Sequence, residues 1–302
     1  MHCDNVGDTM SGATIAAQAG FTLLFAMALV GWFTRRAHDP KEVDAWARSH
    51  GLPITAVNQA TITYYVRLTI TLRVIGAVGG LVLGALFDDA TGLDTSAGPG
   101  FWTWIAIGWV TGSCWAAFRL TRSPAGARPV ASLTPRRVRD YLPDLLVAAP
   151  AVGALAVVAT ATVGLLIGDP GPPTPGGVAP GVPLRTDVLL GAAASAMAVA
   201  ALALLACRAI VARPQPARHP ELLAADDAIR SSALHHLTAG TTAALLLVAS
   251  QLAYGVLYPH PLPLGLRAVV PVALAALALV VWGFTRAAWR VRRASPQAAA
   301  AR

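Results

Sequence analysis

The chain has 302 residues, of which 55% are hydrophobic and only 13% charged, and its mean hydropathy is +0.58. A water-soluble surface cannot be built from that composition, so the chain is read as belonging in a lipid bilayer. A formal charge of +8 would suggest nucleic acid if it formed one patch on a soluble domain, but here the arginines flank apolar runs, which argues against a nucleic-acid partner.

Seven apolar runs are long enough to cross roughly 30 Å of hydrocarbon: residues 14–33, 68–87, 101–120, 145–167, 188–207, 237–258 and 268–284. The expected fold is an all-α, polytopic transmembrane helix bundle of seven spans, a single integral membrane domain over 1–302. Of the 23 basic residues, 20 fall in segments 35–67, 119–143, 208–236 and 286–302. Cytoplasmic loops retain Lys and Arg, so this asymmetry predicts a protein of the cytoplasmic membrane with its N-terminus outside and its C-terminus in the cytoplasm.

In chain order, the opening "MHCDNVGDTM" has no basic region ahead of the first apolar run, and that span is expected to be an uncleaved anchor. Cys3, Cys114 and Cys207 lack the paired spacing of a disulfide framework or a zinc knuckle. Beyond the first span, "DPKEV" predicts a short amphipathic helix. Asp39 is a good N-cap, Pro40 is pre-set for the first turn, Glu42 has capping-box spacing and Gly51 can close the far end.

The second span carries the sharpest pattern. From "ITAVNQATITYYVRLTITLRVIGAVGGLVLGALF" one helix is predicted to begin near Thr55 and to project beyond the bilayer. Asn58, Tyr65, Thr69 and Arg73 share one stripe, which runs on into Gly76, Gly80 and Gly84, a doubled G-x-x-x-G that lets another backbone approach closely. That face is expected inside the bundle. An ionisable residue in a span is a functional candidate by default, because burying it unpaired is costly. The simpler reading is that Arg73, six residues beyond Arg67, snorkels to the headgroups.

The acidic outer loop "FDDATGLDTSAGPG" lacks the ligand spacing of a calcium site. In the next basic segment, "TPRRV" repeats the residue-proline start signal within "LTPRRVRDYLPDLL". Residues 133–146 resemble uncharacterised multi-pass membrane proteins of high-GC actinobacteria; the resemblance implies an inner-membrane protein and no reaction. Pro150 and Pro271 fall inside spans and are expected as packing kinks.

The exits "GWFTRRA", "AAFRLTR" and "WGFTRAAWRVRR" echo one another, as do the loop signals at 39, 134 and 219. They suggest a parallel repeat of four spans over 12–168 and three over 186–293, joined by the Pro/Gly-rich outer linker 169–186.

The stretch "ARHPELLAADDAIRSSALHH", 217–236, crowds three acids and three of the seven histidines. On a helix starting at Pro220, Leu222, Ala225, Ile229, Ala233 and Leu237 share one face, opposite an i,i+4 pair of Asp226 and Arg230. A short amphipathic helix on the cytoplasmic membrane surface is therefore predicted. His235 and His236 are adjacent, point about 100° apart and cannot chelate one ion together. Asp227 and His235 do share a face with Ser231 and form the remaining candidate cluster, for which a solvated helix end is the simpler reading.

There is no P-loop, nucleotide fingerprint or recognisable catalytic set, no cofactor or metal is expected, and no acid lies inside any span. The leading expectation is a transport-type subunit, permease or channel-like, whose short loop helices dock a cytoplasmic partner such as an ATPase. The alternatives are a non-transporting membrane scaffold or regulatory protein, and a membrane enzyme acting on lipid or a lipid-linked substrate.

Overall fold

The structure, a computed structural model, describes residues 27–28, 30–36, 38–91, 99–121, 136–167, 186–213, 220–258, 260 and 262–284. The regular elements among them are all helical: α1 over 30–36, α2 Pro40–Ser49, α3 Gln59–Thr91, α4 Pro99–Thr121, α5 Asp144–Ile167, α6 Thr186–Ala212, α7 Pro220–Leu257 and α8 Leu264–Gly283, with a 3-10 turn at Val138–Asp140. Four helices, α3, α5, α6 and α7, are long and apolar enough to cross a membrane. The third and seventh predicted runs are helical as α4 and α8, 23 and 20 residues long. Residues 14–26 of the first run and most of the linker 169–186 lie outside the described residues.

The outer surface of the bundle explains the composition. Leu145, Leu166, Leu202, Leu279 and Val280 all stand exposed on the outward faces of α5, α6 and α8. An apolar belt of this kind is stable against acyl chains and not against water.

The physical centre is α7. Two thirds (67%) of its most apolar window is buried, against 22–28% for the other three long helices. Its C-terminal half packs Leu245, Ala249, Leu252 and Val256 against Ala154, Val157 and Ala161 of α5 and Leu189, Ala196 and Ala200 of α6. Small residues on all three helices bring the backbones together where lipid supplies no hydrophobic drive for association. On another side of α7, Ala244 meets Ala106 and Val110 of α4, and Ala243 and Leu246 meet Ala278 of α8. Pro150 and Pro271 are accommodated within α5 and α8, and the Ser250 hydroxyl donates to the Pro271 carbonyl at 2.8 Å, tying α7 to α8.

At 38 residues α7 is about 57 Å long, roughly twice the thickness of a hydrocarbon core. Residues 220–236 are its first turns, which corrects the expectation of a separate amphipathic helix on the membrane surface. Ala225 and Ile229 do form an apolar face, but it packs on Val43 of α2 and on Ile62, Tyr65 and Val66 of α3. Leu234 and Leu237 pack on Tyr141, Leu142 and Leu146 and on Cys207 and Ile210 of α6. Both sides of the helix are covered because its polar face is neutralised by partners within the protein.

Of the three expected loop helices, α2 forms. The Asp39 carboxylate accepts from the backbone of Lys41 at 2.9 Å, and Gly51 adopts φ +66° beyond the last turn, a conformation that favours glycine. Glu42 does not return to the N-cap as a capping box requires; its carboxylate pairs with Arg36 instead. The second signal yields the 3-10 turn Val138–Asp140, with Thr134 outside the described residues, and the third opens α7 directly.

The stripe of Gly76, Gly80 and Gly84 faces α4. A methyl group on Gly76 would overlap the Gly108 carbonyl oxygen and stand 2.9 Å from the nitrogen of Gly112; one on Gly80 would overlap the Trp104 carbonyl. Gly84 lies against the Trp104 ring. The partner glycines form their own "GWVTG" spacing on α4, so two backbones meet with nothing between them. Gly79, one step round the helix, has open space. Gly76→Ala is therefore expected to lower the thermal midpoint in detergent, at a cost of about 1–3 kcal/mol from forced separation of α3 and α4. Gly79→Ala should leave the midpoint unchanged or raise it slightly, since alanine outranks glycine in helix propensity by about 1 kcal/mol; equal loss in both variants would refute close packing at Gly76.

Candidate functional site

Two polar centres lie along the N-terminal half of α7, and each draws on helices distant in sequence. The first lies where α3, α4 and α7 meet. Tyr65, Thr69 and Arg73 are buried on one face of α3, and Asn58, the residue just before its first turn, is buried as well. Asn58 serves the chain before α3: its side-chain oxygen accepts from Thr55 N at 2.9 Å and its amide donates to Pro53 O at 2.9 Å. Thr69 turns its hydroxyl back to the Tyr65 carbonyl at 2.7 Å. Tyr65 packs against Trp46 of α2, with ring centroids 5.3 Å apart.

Arg73 alone of the four reaches across to other helices with polar bonds. Its Nε donates to Ser113 Oγ at 3.2 Å, its Nη1 lies 3.1 Å from His236 Nε2, and its guanidinium carbon sits 5.8 Å from the centre of the Trp109 ring. A guanidinium can only donate, so His236 Nε2 accepts and the imidazole carries its proton on Nδ1. The Ser113 hydroxyl in turn donates to the Trp109 carbonyl at 2.9 Å. Among the described residues no carboxylate pairs with Arg73. Its charge is held by a hydroxyl, an imidazole lone pair and an aromatic face.

Trp109 also contacts Trp282 in the last turn of α8, with centroids 5.4 Å apart. Arg73 therefore lies level with the end of α8, and its head is directed into the bundle. That departs from the simpler sequence reading, because Ser113 and His236 offer bonds inside that the headgroups would otherwise supply.

The second centre lies nearer the start of α7. Asp226 accepts from Arg230 Nε at 2.8 Å, pairs with Arg213, and lies 4.0 Å from Arg136. Asp227 pairs with Arg136 at 3.1 Å and accepts from the Tyr141 hydroxyl at 2.9 Å. Burial, reinforced by the Asp227 charge, pushes the Tyr141 hydroxyl well above its ordinary range, so it remains a donor. The arginines also finish other helices: Arg230 Nη1 donates to the Ile210 and Val211 carbonyls of α6 at 3.0 and 2.9 Å, and Arg213 Nη1 donates to Leu120 O of α4 at 2.8 Å. These are last-turn carbonyls without intrahelical partners, and cations are favoured at that end of a helix.

Asp227 and His235 are not brought together as a cluster. Asp227 is held by Arg136 and Tyr141, while His235 Nδ1 lies 2.8 Å from its own helix carbonyl at Ser231. Among the described residues no group of three His, Cys, Asp or Glu side chains could hold a metal ion. His236, adjacent to His235, points to α3 instead, as the angular separation requires. Sequence reasoning missed Ser113, Trp109, Arg136, Tyr141 and Arg213, whose roles depend on which helices meet; the Gly108 and Gly112 spacing was the available signal that α4 would face α3.

The α2 layer closes the arginine-rich end. Trp46 Nε1 donates to Ser232 Oγ at 3.4 Å, its ring stacks on His50 at 4.2 Å, and the Thr55 hydroxyl bonds the Glu221 carboxylate. Burial holds His50 below the ordinary histidine range, against the opposing pull of the Trp46 carbonyl. No family model, curated protein or solved structure matches the chain.

Two outcomes follow. Asp226→Asn leaves Arg230 and Arg213 without their counter-charge in a buried site, and a loss of about 3–5 kcal/mol is expected in chemical denaturation; a loss under about 1 kcal/mol would show that the network is not holding the helices. For His50, the unfolded chain takes up a proton near pH 6.5 while the folded ring resists it. Its stabilisation is thus full above about pH 6.5 and declines as the pH falls below it. The thermal midpoint of His50→Gln should therefore fall less than that of the parent between about pH 7.5 and 5.5.

Proposed function

We propose that the chain is an integral membrane protein of the transport type, permease or channel-like, in which the Arg73 centre engages an anionic solute or group entering from the arginine-rich end. The observation that carries this reading is a guanidinium 7% exposed inside a helix bundle, bonded to Ser113 and His236 and facing no acid among the described residues. Such a charge is costly to keep in a membrane protein, and sites of this kind mark solute pathways. Positive charge that is balanced only by neutral groups attracts an anion.

The loop elements bear on the partner question. α2 and the turn at Val138–Asp140 are engaged with α3 and α7, so a cytoplasmic partner such as an ATPase would meet the outward face of α2, where Lys41, Asp44 and Arg48 are exposed. The arginine-rich end is the cytoplasmic one in this reading, in the plasma membrane, with the N-terminus outside.

A second reading, a non-transporting scaffold or regulatory protein, is favoured by one specific observation. Thr238 and Thr242 bond their own helix carbonyls at 2.9 and 2.8 Å, and beyond them α7 buries Leu245, Leu246 and Ala249. Polarity thus fades along the helix. The enzyme reading has less support, because Asp227 and His235 are each engaged separately.

Proteoliposomes separate the two. Under the transport reading, chloride or succinate efflux should occur with the parent chain, fall at least about tenfold in Arg73→Gln and recover in part in Arg73→Lys, which restores charge without the planar fork. Absence of anion flux from the folded parent protein, or flux indifferent to Arg73→Gln, would favour the scaffold.

A further inference from the structure

On the far side of α7 from Arg73, a cleft of about 380 Å³ opens between the start of α5 and the end of α6. Its mouth carries Arg139 from the 3-10 turn, Arg137 directly before that turn and Arg208 from α6, all exposed; its walls are Val147, Leu204 and Cys207. Thr238 of the central helix forms its floor. We propose that this cleft is a binding site for an anionic phospholipid, with the phosphodiester among the arginines and the glycerol and upper acyl chain against the apolar walls.

Position comes first. α5 and α6 have 24 and 27 residues, about 36 and 40 Å, so their ends extend a few Å past a hydrocarbon layer of about 30 Å, to headgroup level. The first turn of α5 and the last turns of α6 are at the arginine-rich boundary, which puts the mouth at headgroup height. Leu145 and Leu205 stand exposed on the adjoining lipid-facing surface, so an acyl chain leaving the cleft continues onto an apolar wall.

Charge comes second. Arg139 pairs with Asp144 at 3.3 Å, and the Asp140 carboxylate accepts from the Arg137 backbone at 2.8 Å. Three arginines against these two aspartates leave one net positive charge at the mouth, the complement of one phosphodiester. Arg137 and Arg208 make no side-chain ion pair among the described residues and are placed to take it. Basic pockets between membrane helices bind anionic headgroups by this combination of charge and apolar wall. A zwitterionic choline lipid brings a second cation to the same mouth and gains less. A soluble phosphate gains the charge but leaves the apolar walls uncovered.

The test uses the full chain in mild detergent, titrated with dioleoylphosphatidylglycerol or dioleoylphosphatidylcholine and read by native mass spectrometry. The glycerol lipid should be retained at several-fold lower concentration. Neutralising Arg137→Gln and Arg208→Gln together should weaken it by about fivefold per arginine and erase the preference. Val147→Phe, which fills the cleft and leaves every charge in place, should weaken retention as well, and it carries the test if the double variant fails to fold. Equal retention of the two lipids, full retention in the double variant or in Val147→Phe, or displacement by an equal concentration of glycerol 3-phosphate would each overturn the proposal; the last would make the cleft a site for soluble phosphate.

Discussion

The fold depends on burying the charged half of one helix. α7 presents Glu221, Asp226, Asp227, Arg230, His235 and His236 along four and a half turns, in a place where other helices cover it on both sides. Isolated, those charges would keep the segment in water. They are buried because Asp226 and Asp227 have cations at Arg213 and Arg136, because Glu221 takes the Thr55 hydroxyl, and because Arg213 and Arg230 use their remaining donors on the open carbonyls at the ends of α4 and α6. Desolvation of the ions is thereby offset by two kinds of unmet demand at once, countercharge and helix termination. One network fixes the ends of three helices relative to each other.

Deeper in the bundle, the holding force changes character. Along the glycine stripe between α3 and α4 there is no charge and little side chain; glycine meets glycine, and dispersion over a long backbone contact does the holding. The two regimes adjoin at Arg73, one turn from Gly76. Close approach of α3 and α4 brings Ser113 within reach of the guanidinium, while the register of α7 brings His236. The polar centre is thus a product of apolar packing, and the positions that set its geometry carry no polar atom in their side chains.

Much of the fold was legible because it follows from single-helix arithmetic. The apolar runs among the described residues, the length of α3, the start and stop of α2 and the glycine stripe all come from spacing along one segment. The Asp226–Arg230 pair was legible for the same reason. The placement of residues 220–236 was not. Their amphipathic pattern is the same whether the apolar face meets lipid or meets Val43, Ile62 and Tyr65, and only the presence of Arg136, Arg213 and Tyr141 decides between them. Arg136 and Tyr141 stand 86 to 91 positions upstream and Arg213 directly follows the preceding helix, and no local period connects them. Arg73 was ambiguous by the same logic: its depth could be read from its distance to Arg67, but its direction is set by Ser113 and His236 on other helices.

The way α4 and α6 are terminated bears on how the chain is assembled. Both are made before α7, and the groups that finish them, Arg213 and Arg230, arrive just before it and within it. During synthesis the ends of α4 and α6 therefore stay unfinished until that point, even though α3 and α4 can already close on one another through their glycines. α7 acts as a keystone: it is the helix on which α2, α3, α4, α5, α6 and α8 all pack. A chain truncated ahead of it would have the helices of the bundle without the means to close it.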